Sequence, residues 1–149
     1  MIATFRKWLD IPAIRSVLER SAYSDPSHRE FPNALKPVWK AGIGPCKVER
    51  ERRFFIRLED VNNESRFWNG SLDRVVWLGE ADRIFAADIL DFKTDDLTPG
   101  NEEGLAQRAE HYRPQLDSYR RAVAKLANLS EKCISARLVF PFAGCTIKV

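Results

Sequence analysis

Two aspartates and a lysine, in two segments with the composition of strands, are the residues best suited to chemistry on a phosphate. Asp73 lies in the sequence Gly-Ser-Leu-Asp-Arg, and Asp91 and Lys93 lie in Leu-Asp-Phe-Lys-Thr. Residues two apart in a strand point to the same face of a sheet, so Asp91 and Lys93 share a face. If the chain turns back between the two segments, the strands pair, and Asp73 and Asp91 come within reach of one ion.

The two carboxylates suit a divalent cation such as Mg²⁺, which prefers oxygen ligands and retains several waters. A backbone carbonyl, for which Phe92 is the candidate, would complete the protein ligands. Such an ion polarises a phosphate and activates a bound water, and a neighbouring lysine stabilises the developing charge. An Asp-x-Lys pair is more often a solvated salt bridge. Asp91 stands between Leu90 and Phe92, however, and a half-buried carboxylate needs a partner.

A second group of polar residues follows in a helical segment. Tyr112, Gln115 and Tyr119 are spaced three and four apart, so they share one helix face. From that face Gln115 can reach a phosphate, a metal-bound water or Lys93, and Tyr119 can stack on or hydrogen-bond to a nucleotide. The alternative interpretation is a core stripe whose tyrosine hydroxyls end in water.

The first strand segment adds one more acid and a basic cluster. Glu51 or Glu49 can approach the metal from a neighbouring strand, or can pair with the arginines around it. These arginines are candidate contacts to a DNA backbone, and a solvated face is an equally good interpretation; they are Arg50, Arg52 and Arg53.

The hydrophobic pattern predicts the elements that position these residues. Residues 3–21 have helical spacing, with a break near Pro12, and a polar loop with a short helix near residues 34–39 follows. Strands are predicted at residues 48–58, 66–78 and 84–92, with a hairpin turn at residues 79–82. A helix at residues 105–126, with Leu116, Tyr119, Val123 and Leu126 on one stripe, precedes strands at 133–140 and 144–149. This order predicts an α/β fold with a mixed sheet flanked by helices.

Composition excludes several classes of protein. Hydrophobic residues make up 44% and charged residues 30% of the 149 residues, which is typical of a globular domain and not of a disordered chain. No apolar run approaches the roughly 20 residues that span a bilayer, so we expect no membrane association. The three cysteines form no CxxC pair, which argues against zinc and indicates reduced thiols in the cytoplasm. A net charge of +3 permits a polyanionic partner without requiring one.

Four short sequences together resemble the RecB-family nucleases of the PD-(D/E)XK, or restriction-endonuclease-like, superfamily. They are Glu51-Arg-Arg-Phe, Gly70-Ser-Leu-Asp-Arg, Leu90-Asp-Phe-Lys-Thr-Asp and Tyr112-Arg-Pro-Gln-Leu-Asp-Ser-Tyr. Each is weak alone, but the four occur in the family's order and on the expected elements. The resemblance runs from Val48 to Val149 and is strongest to the C-terminal nuclease domain of AddA-type helicase–nuclease subunits.

The resemblance implies a role for each matching residue. Asp73 and Asp91 would be the principal metal ligands, with Glu51 as the upstream acid and Lys93 as the catalytic lysine. Gln115 and Tyr119 would form the helix motif that supports the site. The family cleaves DNA with Mg²⁺ or Mn²⁺, usually from ends, in recombination and repair. The partners implied are DNA and helicase domains, on the same polypeptide or in a partner subunit.

Two departures from the family qualify this expectation. Relatives often have a histidine in an early helix that approaches the metal, and no residue here matches it. Cys46, Cys133 and Cys145 do not reproduce the cysteine pattern of relatives with an iron–sulfur cluster, so we expect none. No phosphate-binding GxxxxGK[ST] loop is present. We therefore expect a single nuclease domain over residues 1–149, helical at 1–45 and catalytic at 46–149, cut from a larger helicase–nuclease. The alternative is an inactive DNA-binding or structural module of the same fold.

Overall fold

Five strands form one mixed sheet, in the order in which they occur along the chain. The computed structural model describes residues 7–23, 44–59, 62–80 and 82–149. The strands are β1 (Gly44–Glu59), β2 (Ser65–Glu80), β3 (Arg83–Phe92), β4 (Ile134–Phe140) and β5 (Cys145–Lys148). Strands β1, β2 and β3 are antiparallel neighbours, β4 lies parallel to β3, and β5 returns antiparallel to β4. The predicted α/β class, mixed sheet and order of elements are confirmed.

Two helices lie on opposite faces of this sheet. Helix α1 (Pro12–Leu18) is followed by a 3-10 turn at Arg20–Tyr23, and residues 7–9 before it are also helical. The predicted break near Pro12 is confirmed, since Pro12 begins α1, a position where its missing N–H costs nothing. The short helix expected near residues 34–39 lies outside the described residues. No helix in the described ranges has the length and apolar character needed to cross a lipid bilayer.

The long helix, α2 (Glu102–Ala127), begins three residues earlier than its apolar pattern predicts. Asn101 caps it, because the Asn101 side chain accepts a hydrogen bond from the Gly104 N–H at 2.9 Å. At its other end Asn128 takes the left-handed conformation at φ 54°, which ends the helix. A short 3-10 turn at Glu131–Cys133 then leads into β4.

Alternation along the strands divides the core between the two faces of the sheet. Val75, Trp77, Ala87, Ile89 and Leu138 pack beneath α2 with Leu116 and Val123. On the other face, Leu90 and Val139 pack against Ile14 and Val17 of α1. The predicted stripe of α2 is wrong at Leu126, which is 41% exposed, because the last helical turn packs through Ala127 instead.

Strand β2 is longer than its pairing with β3. It pairs with β1 along its whole length, but its pairing with β3 covers only the part from Arg74 to Glu80, and Arg74↔Leu90 is the pair at the open end. Beyond that pair β3 continues beside β4 as far as Phe92↔Val139. The sheet therefore divides at this point, and we call the opening between β2 and the end of β3 the fork.

Candidate active site

Asp73 and Asp91 face each other across the fork. Each stands one residue beyond the last β2–β3 pair, Arg74↔Leu90. The Asp73 carboxylate accepts a hydrogen bond from the Phe92 N–H at 2.8 Å, which supplies a partner to a backbone group that β2 no longer pairs. The same aspartate that was predicted as a metal ligand thus also holds the two strands at a fixed separation.

Asp91 is a buried carboxylate, and Lys93 is its one close cationic partner among the residues that the structure describes. It is 3% exposed, and Lys93 Nζ lies 2.7 Å from its Oδ2 atom. Burial raises the pKa of Asp91 above its usual value, and the charge of Asp73 raises it further, whereas the Lys93 ammonium acts in the opposite direction. The charges of Asp73 and Asp91 therefore repel each other, although burial has the larger effect on the pKa of Asp91.

Lys93 is fixed by groups from two elements. Its Nζ atom donates to Gln115 Oε1 at 2.8 Å and lies 4.2 Å from the centre of the Tyr112 ring. The ammonium is thus held between the Asp91 carboxylate of its own strand and two side chains of α2. Of the three contacts predicted for Gln115, the contact with Lys93 is present in the structure.

Tyr119 extends this series of contacts along α2. Gln115 Nε2 donates to the Tyr119 hydroxyl at 2.9 Å. Burial raises the pKa of Tyr119, and the negative charges of Asp91 and Asp73 add to the increase. Asp91, Lys93, Gln115 and Tyr119 therefore form one connected polar group, which we call the polar series, and Asp73 lies beside it.

The β1–β2 hairpin supports Tyr119 from below. The Phe54 ring meets the Tyr119 ring edge-on, with centroids 5.9 Å apart. A Cβ atom at Gly70 would lie 2.8 Å from the Phe54 ring, which would have to shift, and 3.5 Å from the Tyr119 ring, which is an ordinary contact. Gly70 belongs to the same Gly-Ser-Leu-Asp-Arg sequence as Asp73, and it helps to position the Tyr119 ring through Phe54.

Glu51 lies on β1 beside the fork, and its side chain is exposed. The pairs Arg50↔Arg74 and Arg52↔Leu72 place the Glu51 backbone opposite Asp73. Its φ of 49° is left-handed, which twists β1 at this point. The other candidate acid, Glu49, is engaged elsewhere, since it accepts a hydrogen bond from Trp77 Nε1 at 2.8 Å and pairs with Lys47 at 2.7 Å.

The oxygen donors at the fork suit a hard cation. Two carboxylates with a backbone carbonyl match Mg²⁺, which is often held by one or two carboxylates together with waters and substrate phosphates. Burial is the main cause of the raised pKa of Asp91 and the charge of Asp73 adds to it, so a cation at this place would favour the ionised carboxylate. Within residues 7–23, 44–59, 62–80 and 82–149, no three or more side chains of the His, Cys, Asp and Glu types are grouped so as to hold a metal. The strand register brings the backbones of Glu51, Asp73 and Asp91 side by side, but their side chains do not form a three-residue metal-binding group.

Asp95 belongs to the site, although residue types and spacing assign it no role. It accepts a hydrogen bond from the Tyr112 hydroxyl at 3.0 Å and pairs with Arg108 Nε at 3.1 Å. These contacts fix the ring on which Lys93 rests. The available signal was its place in Leu-Asp-Phe-Lys-Thr-Asp, two residues after Lys93.

Comparisons with known proteins do not assign this chain to a family. A scan against protein-family models and a search of curated proteins gave no match to this chain.

Proposed function

We propose that this chain is a metal-dependent DNA nuclease domain with a restriction-endonuclease-like fold. The observation that carries the proposal is the polar series from Asp91 through Lys93 and Gln115 to Tyr119, with Asp73 beside it in the fork. Phosphodiester hydrolysis by such an enzyme requires a metal site and a fixed positive charge, for which Asp73 and Asp91 would supply the ligands and Lys93, paired with Asp91, the charge. The mixed sheet and the helices on its two faces agree with the fold that the resemblance implies.

Each residue has a defined part in this reaction. Asp73, Asp91 and the Phe92 carbonyl would hold Mg²⁺ or Mn²⁺, with Glu51 as the acid nearest to them on β1. When bound, the ion supplies Lewis acidity toward the phosphate and activates water. Hydrolysis joins a water oxygen to phosphorus and breaks the bond to the leaving sugar oxygen, which takes up a proton. Lys93 stabilises the negative charge on the phosphate, because Asp91 and Gln115 hold its ammonium in place.

Cleavage of linear DNA with and without Mg²⁺ tests the proposal. We expect wild-type protein to cleave only with the metal, and Asp91→Ala and Lys93→Ala to be at least about 100-fold slower, as for loss of a group that stabilises transition-state charge. The matched control is Asp96→Ala, which removes an exposed acid five residues after Asp91 and should cleave at the wild-type rate. Wild-type cleavage by Asp91→Ala would refute the assignment.

An inactive DNA-binding or structural module of the same fold is the second candidate. It is favoured by the lack of a third grouped metal ligand in the described part of the chain. Calorimetric titration with Mg²⁺ separates the two candidates. Metal binding with no cleavage of any linear DNA supports the inactive module, whereas binding with cleavage that Asp91→Ala abolishes supports the nuclease.

We also propose a setting for this activity in the cytoplasm, in DNA recombination and repair, as an exonuclease or endonuclease module of an ATP-dependent helicase–nuclease. Its support is the resemblance to helicase-linked relatives. Helicase motifs upstream of Met1 in the same polypeptide, or a helicase subunit that co-purifies with it, would support this setting. A chain that starts at Met1 in the cell and purifies without a helicase would count against it.

A further inference from the structure

A cavity of about 320 Å³ opens beside Asp73 on the face of the sheet that carries α1. The described residues that line it are Leu9, Leu18, Arg50, Asp73, Arg74 and Phe92. Its volume is near the lower end of the range of roughly 300–1,000 Å³ that small-molecule sites occupy. The cavity is therefore large enough for a ligand of nucleotide size, and it borders the fork from the side opposite to Lys93 and Gln115.

One wall of the cavity is apolar. Leu9 and Leu18 contribute to it from the helical segment on this face, and Phe92 contributes from the end of β3. All three residues are partly exposed, so the wall is accessible to a ligand. Binding of a flat apolar group such as a nucleobase against this surface is favourable, because it removes apolar area from water.

The other wall carries two guanidinium groups, those of Arg50 and Arg74, and the Asp73 carboxylate lines the same cavity. Arg50 is exposed and has no hydrogen-bond or ion-pair partner among the described residues. Arg74 donates from Nη2 to the Leu18 carbonyl at 3.3 Å, but its Nε atom is buried without a hydrogen-bond partner. A bound anion would give the exposed Arg50 guanidinium an acceptor and offset the positive charge of both arginines.

The positive charge continues beyond this cavity. Arg74 and Leu18 also line a second cavity of about 160 Å³, which Arg20 lines as well. Arg20 too is exposed and has no hydrogen-bond or ion-pair partner in the described part of the chain. Arginines are therefore available along a path that leads away from the fork, as a chain of phosphates would require.

We propose that the larger cavity is a nucleotide subsite, in which Leu9, Leu18 and Phe92 contact the base and Arg50 and Arg74 bind the phosphate. Asp73 belongs both to this cavity and to the candidate active site. A nucleotide in the subsite would thus adjoin the phosphodiester held at Asp73 and Asp91. The assignment of that nucleotide to a DNA strand rests on the proposed function, whereas the subsite itself rests on the cavity and its arginines.

Binding of thymidine 5′-monophosphate to metal-free protein tests the subsite. NMR titrations in EDTA would compare this nucleotide with thymidine and with inorganic phosphate. We expect the nucleotide to bind at least about fivefold more tightly than either part, since both walls contribute. Equal affinities for the nucleotide and inorganic phosphate, or no saturable binding at millimolar nucleotide, would overturn the proposal.

Matched arginine variants locate the bound nucleotide. We expect Arg50→Ala to weaken binding about tenfold, because it removes one charge-assisted contact to the phosphate. The control is Arg57→Ala, an exposed arginine farther along β1 whose loss should leave the affinity within twofold of wild type. Leu9→Trp, which adds volume to the apolar wall, should also weaken binding. Equal affinities in Arg50→Ala and Arg57→Ala would overturn the proposal.

A cleavage assay on the same proteins separates failure of the subsite from failure of the nuclease assignment. Nucleotide binding by Asp91→Ala at wild-type affinity, together with lost cleavage, supports both. Nucleotide binding that depends on Arg50, in a wild-type protein that cleaves no DNA, supports the subsite and removes the nuclease. Cleavage with the same KM for a thymidine oligonucleotide in wild type and Arg50→Ala overturns the subsite alone.

Discussion

Burial of the Asp91 carboxyl group disfavours folding, whereas the proposed metal site requires a carboxylate at this position. Asp91 is buried beside a second carboxylate, and the single ammonium of Lys93 offsets only part of that cost. Burial is the main cause of its raised pKa, so the folded chain holds the Asp91 proton more tightly than the unfolded chain does. A buried carboxyl group with a shifted pKa is typical of a functional site, because an uncharged residue at such a place would stabilise the fold better.

The pH dependence of stability should reveal this cost. Between the usual pKa of 3.8 and the raised value, the folded protein binds more protons than the unfolded one, so the contribution of Asp91 falls as pH rises through that window. Asp91→Asn cannot ionise. In EDTA, we expect the free energy of unfolding of Asp91→Asn to increase relative to that of wild type from pH 4 to pH 7. Urea denaturation measures both values. A constant difference between the two proteins would contradict the raised pKa.

Gln115 is expected to act by positioning Lys93. Gln115→Ala removes an acceptor at 2.8 Å from the Lys93 ammonium, and we expect kcat to fall about tenfold, or about 1.4 kcal/mol, with little change in KM. The control is Gln107→Ala on the same helix, whose side chain bonds only to the exposed Glu103. A change in KM alone would instead mean that Gln115 binds DNA directly.

At the scale of elements, the site depends on how the β1–β2 hairpin meets α2. The hairpin stops pairing with β3 at the fork. Beyond the fork it contacts α2, where Gly70 lies against the Phe54 ring and close to the Tyr119 ring. The strands thus provide Asp73, Asp91 and Lys93, and the helix provides the groups that hold Lys93. Neither element forms the polar series by itself.

Gly70→Ala tests this junction. Its methyl group would lie 2.8 Å from the Phe54 ring, so this ring, which contacts Tyr119, must move. We expect the free energy of unfolding to fall by about 1–2 kcal/mol through overpacking, and kcat to fall as Tyr119 shifts. The control is Ser71→Ala at the next residue, which is exposed. Thermal unfolding and cleavage assays give the two readouts, and wild-type values in both would show that the junction tolerates the methyl group.

The apolar pattern of the sequence places the beginning of α2 three residues too late. Gly104 and the acidic turn-forming residues before it indicate a loop, and helical apolar spacing starts only at Leu105. The helix begins at Glu102 because the Asn101 side chain binds the Gly104 N–H, so the glycine lies inside the first turn. Capping is a local interaction that apolar periodicity does not report.

At the scale of the whole molecule, a buried polar cluster joins the N-terminal segment to the sheet. Asp88 of β3 is fully buried and accepts hydrogen bonds from the Tyr23 hydroxyl at 2.9 Å and from Ser135 of β4. Arg137 Nε lies 3.8 Å from the same carboxylate. The cluster is on the face of α1, opposite to α2, so it links the segment that walls the nucleotide subsite to the central strands.

Asp88→Ala should therefore destabilise the whole fold. Removing the buried carboxylate leaves Arg137 without its counter-charge, and we expect a loss of about 3–5 kcal/mol in the free energy of unfolding. Urea denaturation measures the loss, and Asp96→Ala, which removes an exposed acid, is the matched control. A loss below about 1 kcal/mol would mean that the cluster contributes little to the fold.

The sequence by itself determined the elements and the residue types of the site. Runs of apolar and aromatic residues between turn sequences indicated the strands, and helical spacing indicated α2, because both patterns record which side chains must be buried. The spacing of Asp91 and Lys93, and of Gln115 and Tyr119, specified which residues share a face. These are local properties, so a linear reading is sufficient for them.

Only the tertiary structure decided how these parts meet. The fork depends on where β2 stops pairing with β3, the contact of Lys93 with Gln115 depends on where α2 crosses the sheet, and the cavity beside Arg74 depends on the place of α1. Each joins residues far apart in the chain, and their approach is fixed by packing of the whole core. The sequence could therefore name Asp73 and Asp91 as partners, but not show that Asp73 also closes the end of β3 and borders the nucleotide subsite.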